Sequence, residues 1–178
     1  MELNLISIET VKAQLDISTL DYDAKITALI PIVSADVRRI LNNKYDRTFS
    51  AAYEIGESGL ESLYGIPMGT VVSGEGIPSD TYITQFDYST LVYEMSANAT
   101  ISGTSINPTI NISQWPTISK MIFYRMNNMT ISNASQDNVI SKSIGGVSVS
   151  YGNSQINKRW NYPQLLIDDL GIPFSEVG

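Results

Sequence analysis

Residues 69–95 read GTVVSGEGIPSDTYITQFDYSTLVYEM. Gly69 to Ser73 is short and rich in β-branched residues, as a strand is. Gly74 to Asp80 holds two glycines and a proline, so it reads as a turn-rich connection. In Thr81 to Phe86 and Leu91 to Met95, β-branched and aromatic residues mix with polar ones, and Asp87-Tyr88-Ser89 joins them. Both stretches read as strands. Ala99 to Ser102 and Thr109 to Ile112 are lesser strand candidates. Residues 50–113 therefore read as an antiparallel β-rich module.

On both sides the periodicity changes to that of helices. Ser7 can cap a short helix carrying Thr10, Val11, Leu15 and Ile17 near its apolar side. Asp16 to Asp21 breaks it. A longer helix then starts at Asp21 or Asp23 and should end near Asn42-Asn43. Ile26, Leu29, Ile30, Val33, Val37, Ile40 and Leu41 fall on one stripe of it. Pro31 lies inside this pattern and should kink the helix or leave one hydrogen bond unmade. Beyond the β-rich region, Ser113 and Pro116 mark the start of a helix. Ile118, Met121, Ile122, Arg125, Met126 and Met129 share its face, the methionines reading as adaptable core filler.

A polar linker follows. Val139 to Ile144 and Val147 to Tyr151 then flank Gly145-Gly146, and two glycines between alternating runs suit a primed hairpin turn. A last helix is expected from Tyr162-Pro163 through Leu165, Leu166, Asp169 and Leu170, with Gly171 and Pro173 stopping it. The expected fold is α+β: a small helical bundle with an inserted antiparallel β module and a C-terminal β-hairpin plus helix. The expected division is a helical core over 1–49 and 114–178, with the insert at 50–113.

Composition narrows the chemistry. The 178 residues include no Cys and no His. Disulfides, thiolate metal sites, imidazole acid–base groups and Ser-His-Asp triads are therefore excluded. The 11 Lys+Arg stand against 18 Asp+Glu, a net charge of -7. A nucleic-acid grip normally needs the opposite bias. Charged residues are only 16% of the chain, below the usual ~25%. The opening Met1-Glu2-Leu3-Asn4-Leu5 has an acid where a secretory leader is basic. No run approaches the ~20 apolar residues of a membrane span.

The remaining motifs have ordinary structural explanations. Gly74-Glu75-Gly76 has a phosphate-loop spacing, but Ser79 replaces the third glycine and a carboxylate sits where an anion would bind. Glu54, Glu57 and Glu61, or Asp168-Asp169, are the carboxylates left for an acid–base hydrolase, and glycosidases need only two. Solvated faces account for them better. Asp21 and Asp23 lack a calcium-loop spacing. Trp115, Trp160 and Tyr162 stand near helix starts, where core packing outweighs an interface role. Arg38-Arg39 and Lys158-Arg159 are local basic pairs, suited to solvent or to salt bridges between subunits. No catalytic, cofactor or metal residue is assigned.

Two segments carry a resemblance. One is Leu5 to Leu15, an acidic break, then Asp23 to Leu41. The other is Ser141-Lys142-Ser143-Ile144-Gly145-Gly146-Val147-Ser148-Val149-Ser150-Tyr151, before a terminal helix. In order and spacing they resemble the head–tail connector (adaptor, or head-completion) proteins of long-tailed bacteriophages. Residues 50–113 depart from that family, whose members have a much shorter connection there, and Pro31 is also atypical. The resemblance implies a non-enzymatic virion protein without cofactor, assembled in the bacterial cytoplasm and located at the neck. It implies a ring, usually dodecameric, below the portal protein. The ring would meet a stopper or tail-completion protein and pass DNA without sequence-specific contact, with no membrane partner. Trp160 to Val177 would grip the portal, through Trp160, Tyr162, Leu165, Leu166, Leu170, Ile172 and Phe174. Arg38 and Arg39 would serve contacts between subunits. Another tail or neck component, such as a tail-completion or baseplate-associated protein, is the alternative that the β module suggests.

Overall fold

The computed structural model describes residues 4–41, 48–130, 141–144, 147–150, 156–157 and 159–171. The chain divides into two compact units: 1–43 with 114–178, and 44–113.

In the first unit, α1 (Ile8–Leu15) begins where the Ser7 hydroxyl accepts a hydrogen bond from the Thr10 N–H at 3.1 Å. It stops at Asp16, which adopts a left-handed conformation (φ 55°). α2 (Asp23–Ile40) runs unbroken through Pro31. Proline cannot serve the carbonyl four residues back, but Thr27 and Pro31 are both exposed, so water can reach that carbonyl. Lys12 Nζ meets Asp23 Oδ1 at 2.7 Å, and the Leu5 N–H donates to Ser34 Oγ at 3.1 Å. α3 (Trp115–Thr130) follows a 3-10 turn at Ile112–Gln114. It is buried almost all round: Ile118, Met121, Ile122, Phe123 and Met126 are essentially inaccessible, and Tyr124 is buried too. β7 (Ser141–Ile144) and β8 (Val147–Ser150) pair antiparallel, with Ile144 opposite Val147. Gly145 and Gly146 themselves lie outside the described residues, as do Asn42 and Asn43. β9 (Ile156–Asn157) pairs with β10 (Tyr162–Pro163), and α4 (Gln164–Asp169) ends at Gly171 (φ 96°).

The second unit is one sheet of six strands. These are β1 (Phe49–Tyr53), β2 (Gly59–Ser62), β3 (Thr70–Ser73), β4 (Ile83–Asp87), β5 (Val92–Met95) and β6 (Gly103–Asn111). Their order is β3-β6-β1-β2-β5-β4, and every pair is antiparallel. The first and last strands then meet. Val71 bridges Tyr82, the Gly69 N–H donates to the Ile83 carbonyl, and the Val72 N–H donates to the Thr81 carbonyl, both at 2.8 Å. The sheet is thus a nearly closed barrel, and closure removes exposed strand edges. Inside lie Tyr53, Leu60, Val72, Ile83, Tyr93, Met95 and Ile106. Register shifts in three of the pairings bend the strands enough to curl the sheet.

This corrects the expectation of a small helical bundle bearing a β insert. Among the described residues, the six-stranded barrel dominates the architecture, accompanied by four helices. Within the β-rich region no strand is expected before Gly69, yet β1 and β2 lie there. FSAAY and GLES are too short, and too rich in Ala, Gly, Glu and Ser, to show strand propensity. Their place comes from partners far along the chain, β6 for β1 and β5 for β2. Ala99 to Ser102 is not a strand. β6 starts at Gly103 and absorbs the segment expected at Thr109, ending at Asn111.

Candidate functional site

The first unit contains a polar cluster built from three distant stretches. α2 supplies Asp36, α3 supplies Arg125 and β10 supplies Tyr162. The Tyr162 hydroxyl donates to Asp36 Oδ2 at 2.7 Å and accepts from Arg125 Nε at 2.9 Å. A terminal Arg125 nitrogen meets the same Asp36 oxygen at 2.7 Å. The guanidinium also lies 4.9 Å from the Tyr162 ring centre, a cation–π distance. Tyr162 is completely buried. Burial, with the Asp36 charge beside it, pushes the phenol well above its ordinary range, although Arg125 opposes the shift. Its proton is therefore held, and the cluster works as a latch that fastens the 156–171 segment to α2 and α3. Asn157 shapes that segment: its side-chain oxygen accepts from the N–H groups of Arg159 and Trp160, and its side-chain N–H₂ donates to Gln164 at 2.7 Å.

The residues expected at an interface separate accordingly. Tyr162, Leu166, Leu170 and Arg38 are buried within the unit and so present no surface there. Trp160 is half-buried, with the Arg159 guanidinium 4.8 Å from its ring. Leu165 is 44% exposed, and Arg39 is exposed. Ile172 and Phe174 lie outside the described residues. Among the described residues of that set, solvent contact is left to Leu165 and Arg39, and in part to Trp160.

The carboxylates do not converge. Glu54 and Glu57 stand exposed in the β1–β2 turn, and Glu61 faces outward on β2. Asp168 and Asp169 are exposed on α4; Asp21 is exposed, while Asp23 pairs with Lys12. Gly74-Glu75-Gly76 is a turn whose carbonyls are taken. The Glu75 oxygen accepts from the Tyr53 hydroxyl at 2.9 Å, and the Gly76 oxygen accepts from the Thr100 N–H and hydroxyl. Among the described residues, no three Asp or Glu gather as metal ligands, and no helix is long and apolar enough to cross a membrane.

The barrel carries the other feature. An open groove of about 720 Å³ lies beside β1, β2 and the β4–β5 turn, walled by Ala52, Glu61, Leu63, Tyr64, Phe86 and Leu91. This volume is within the ~300–1,000 Å³ of ordinary ligand pockets. Phe86 packs against Tyr93 (ring centres 4.6 Å) and Tyr88 (5.0 Å), and Phe49 meets Tyr64 edge-on at 4.9 Å. Leu63 is wholly exposed, Tyr88 84%, Leu91 66% and Tyr64 52%. Such a concentration of exposed apolar side chains is what interaction sites show. The β4–β5 turn holds two of them out. Asp87 Oδ1 accepts from the Ser89 N–H and hydroxyl, which keep its carboxyl below the usual carboxylate range. Leu91 is held at φ 60°, a strained conformation for a leucine.

Counting charge by segment adds a fact that whole-chain composition hides. Residues 48–113 contain seven acids (Glu54, Glu57, Glu61, Glu75, Asp80, Asp87, Glu94) and no Lys or Arg. The rest of the chain balances, so the entire net charge of -7 belongs to the barrel segment. Compared with family models, curated proteins and solved structures, the chain matches none of them.

Proposed function

We propose that the protein is a structural, non-enzymatic connector at the neck of a long-tailed bacteriophage. In this reading it forms a ring below the portal and extends the DNA channel toward the tail. The observation that carries the proposal is the ordered pair of segments, 5–41 and 141–151, that resembles head–tail connector proteins. The helical unit supports it physically. Three packed helices and a latched C-terminal segment form one compact unit, leaving Leu165 and Arg39 outward. Closing a ring head to tail needs two different complementary faces on each subunit. The anionic barrel segment would repel rather than hold DNA phosphates, which suits a passage. The absence of Cys and His agrees with a role that makes and breaks no bonds.

The test is to mix the protein with its cognate portal and image the product. A ring seated under the portal is the expected result. Absence of both ring and portal binding overturns the proposal. The barrel motivates a second reading, a tail-completion or baseplate-associated component. Electron cryo-microscopy of intact particles separates the two, because a position at the tail tip contradicts the neck.

A further inference from the structure

We infer that the groove on the barrel is a docking site for a basic, apolar-anchored segment of another protein. The inference does not depend on the connector reading.

Shape and chemistry define the site. Leu63, Tyr64 and Leu91 stand exposed around an open groove with Phe86 in its wall. Buried aromatic and aliphatic anchors supply most of the binding energy at protein interfaces. The groove's rim carries Glu61, and the adjoining turn carries the ionised Asp87. Leu91 adds an independent sign. A glycine or asparagine would relieve its left-handed backbone, yet this position presents a large apolar side chain to solvent. Strain retained at an exposed tip beside a groove points to a use for the side chain.

Charge selects the occupant. Between residues 48 and 113 no Lys or Arg is present to neutralise the seven acids. Two copies of this surface therefore repel one another, and nucleic acid or an anionic membrane is repelled as well. A segment with Lys or Arg beside an aromatic or aliphatic anchor meets both features at once. Its charges would be drawn toward Glu61 and Asp87 while its anchor fills the space between Tyr64 and Leu91. Electrostatic complementarity of this kind raises the association rate and excludes like-charged partners.

The full chain can be titrated with a synthetic peptide alternating Lys with Ser around one central Trp, followed by amide NMR shifts. Two controls replace Lys by Glu or the Trp by Ser. The expected result is saturable binding with shifts at Leu63, Tyr64, Thr90 and Leu91. It should weaken roughly tenfold without the Trp anchor, and weaken as salt screens the charges. Leu63→Ser and Glu61→Gln should each reduce affinity. Leu91→Asn should do so without lowering the melting temperature, because asparagine tolerates the left-handed backbone. This last variant separates lost docking from lost folding. No binding at low salt overturns the inference, as does equal binding of the Glu peptide. Shifts centred on Glu75 and Asp80 instead of the groove also overturn it, since they mark undirected charge attraction. Self-association abolished by Leu63→Ser would assign the groove to a second copy and overturn the proposed partner.

Discussion

At the scale of single residues, Tyr162 decides most in the helical unit. Its ring is wholly buried, and its hydroxyl is shared between Asp36 and Arg125. Tyr162→Phe removes the hydroxyl and leaves both charged partners short of a bond. The expected cost is ~1–3 kcal/mol, read by denaturant unfolding. The pH dependence has a definite sign. The folded phenol titrates above its ordinary value of 10.0. Above that value the unfolded chain loses the proton while the folded chain keeps it. Stability is therefore fully present below about pH 10 and falls as pH rises further. Tyr162→Phe should flatten the part of this alkaline loss that belongs to the helical unit. Tyr53, raised by burial in the barrel, retains its own. An unchanged alkaline profile in the variant would contradict the latch. The sequence marked Tyr162 as a large aromatic near a helix start, which suits core and interface alike. Its partners lie 126 and 37 positions away, so no local pattern could pair them.

At the scale of elements, strands were legible where β-branched and aromatic residues concentrate and were missed where small residues replace them. β3, β4 and β5 are rich in Val, Ile, Tyr and Phe. β1 and β2 carry mostly Ala, Ser and Gly. Packing fixes a small residue on the neighbouring β6. Tyr53 reaches across to Gly103 at the start of β6, so closely that a Cβ at Gly103 would overlap the phenol ring. The hydroxyl beyond it caps the Glu75 carbonyl. Gly103→Ala should therefore push Tyr53 from its place and destabilise the barrel by ~1–3 kcal/mol, the usual cost of overpacking. Thermal unfolding of the variant checks this, and a melting temperature equal to the parent's would contradict it. Helices were easier to read. The stripe on α2 is visible because the helical period repeats over 18 residues. α3 is buried round nearly its whole circumference, so Phe123, off the expected stripe, is as inaccessible as Ile118 and Met121.

At the scale of the whole molecule, each unit has its own core, and the two differ in charge. Ile26, Val33, Val37, Ile118 and Met121 fill the helical unit, while Leu60, Ile83 and Ile106 fill the barrel. Replacing residues 48–113 by a short Gly/Ser linker should leave a helical far-ultraviolet circular dichroism spectrum and a cooperative melt. Collapse of that signal would show that the helices need the barrel to fold. The barrel's uniform charge explains how a chain with so few charged residues still reaches -7. It also places Glu61 and Asp87 beside the apolar groove. That coincidence was half legible: the acids can be counted in the sequence, but their neighbours cannot.

By itself the sequence determined the chemistry that is unavailable to this protein, the buried stripe of α2, the position of α3, the caps and stops at Ser7 and Gly171, and the strands rich in β-branched and aromatic residues. These are local properties, set by residue type and by periods of two or 3.6 residues. Only the tertiary structure decided that six strands close into a barrel, that Arg38, Leu166 and Leu170 turn inward, and that Leu63, Tyr64 and Leu91 surround one groove. Those outcomes rest on pairings between distant residues, whose energy exists only once the chain has brought them together.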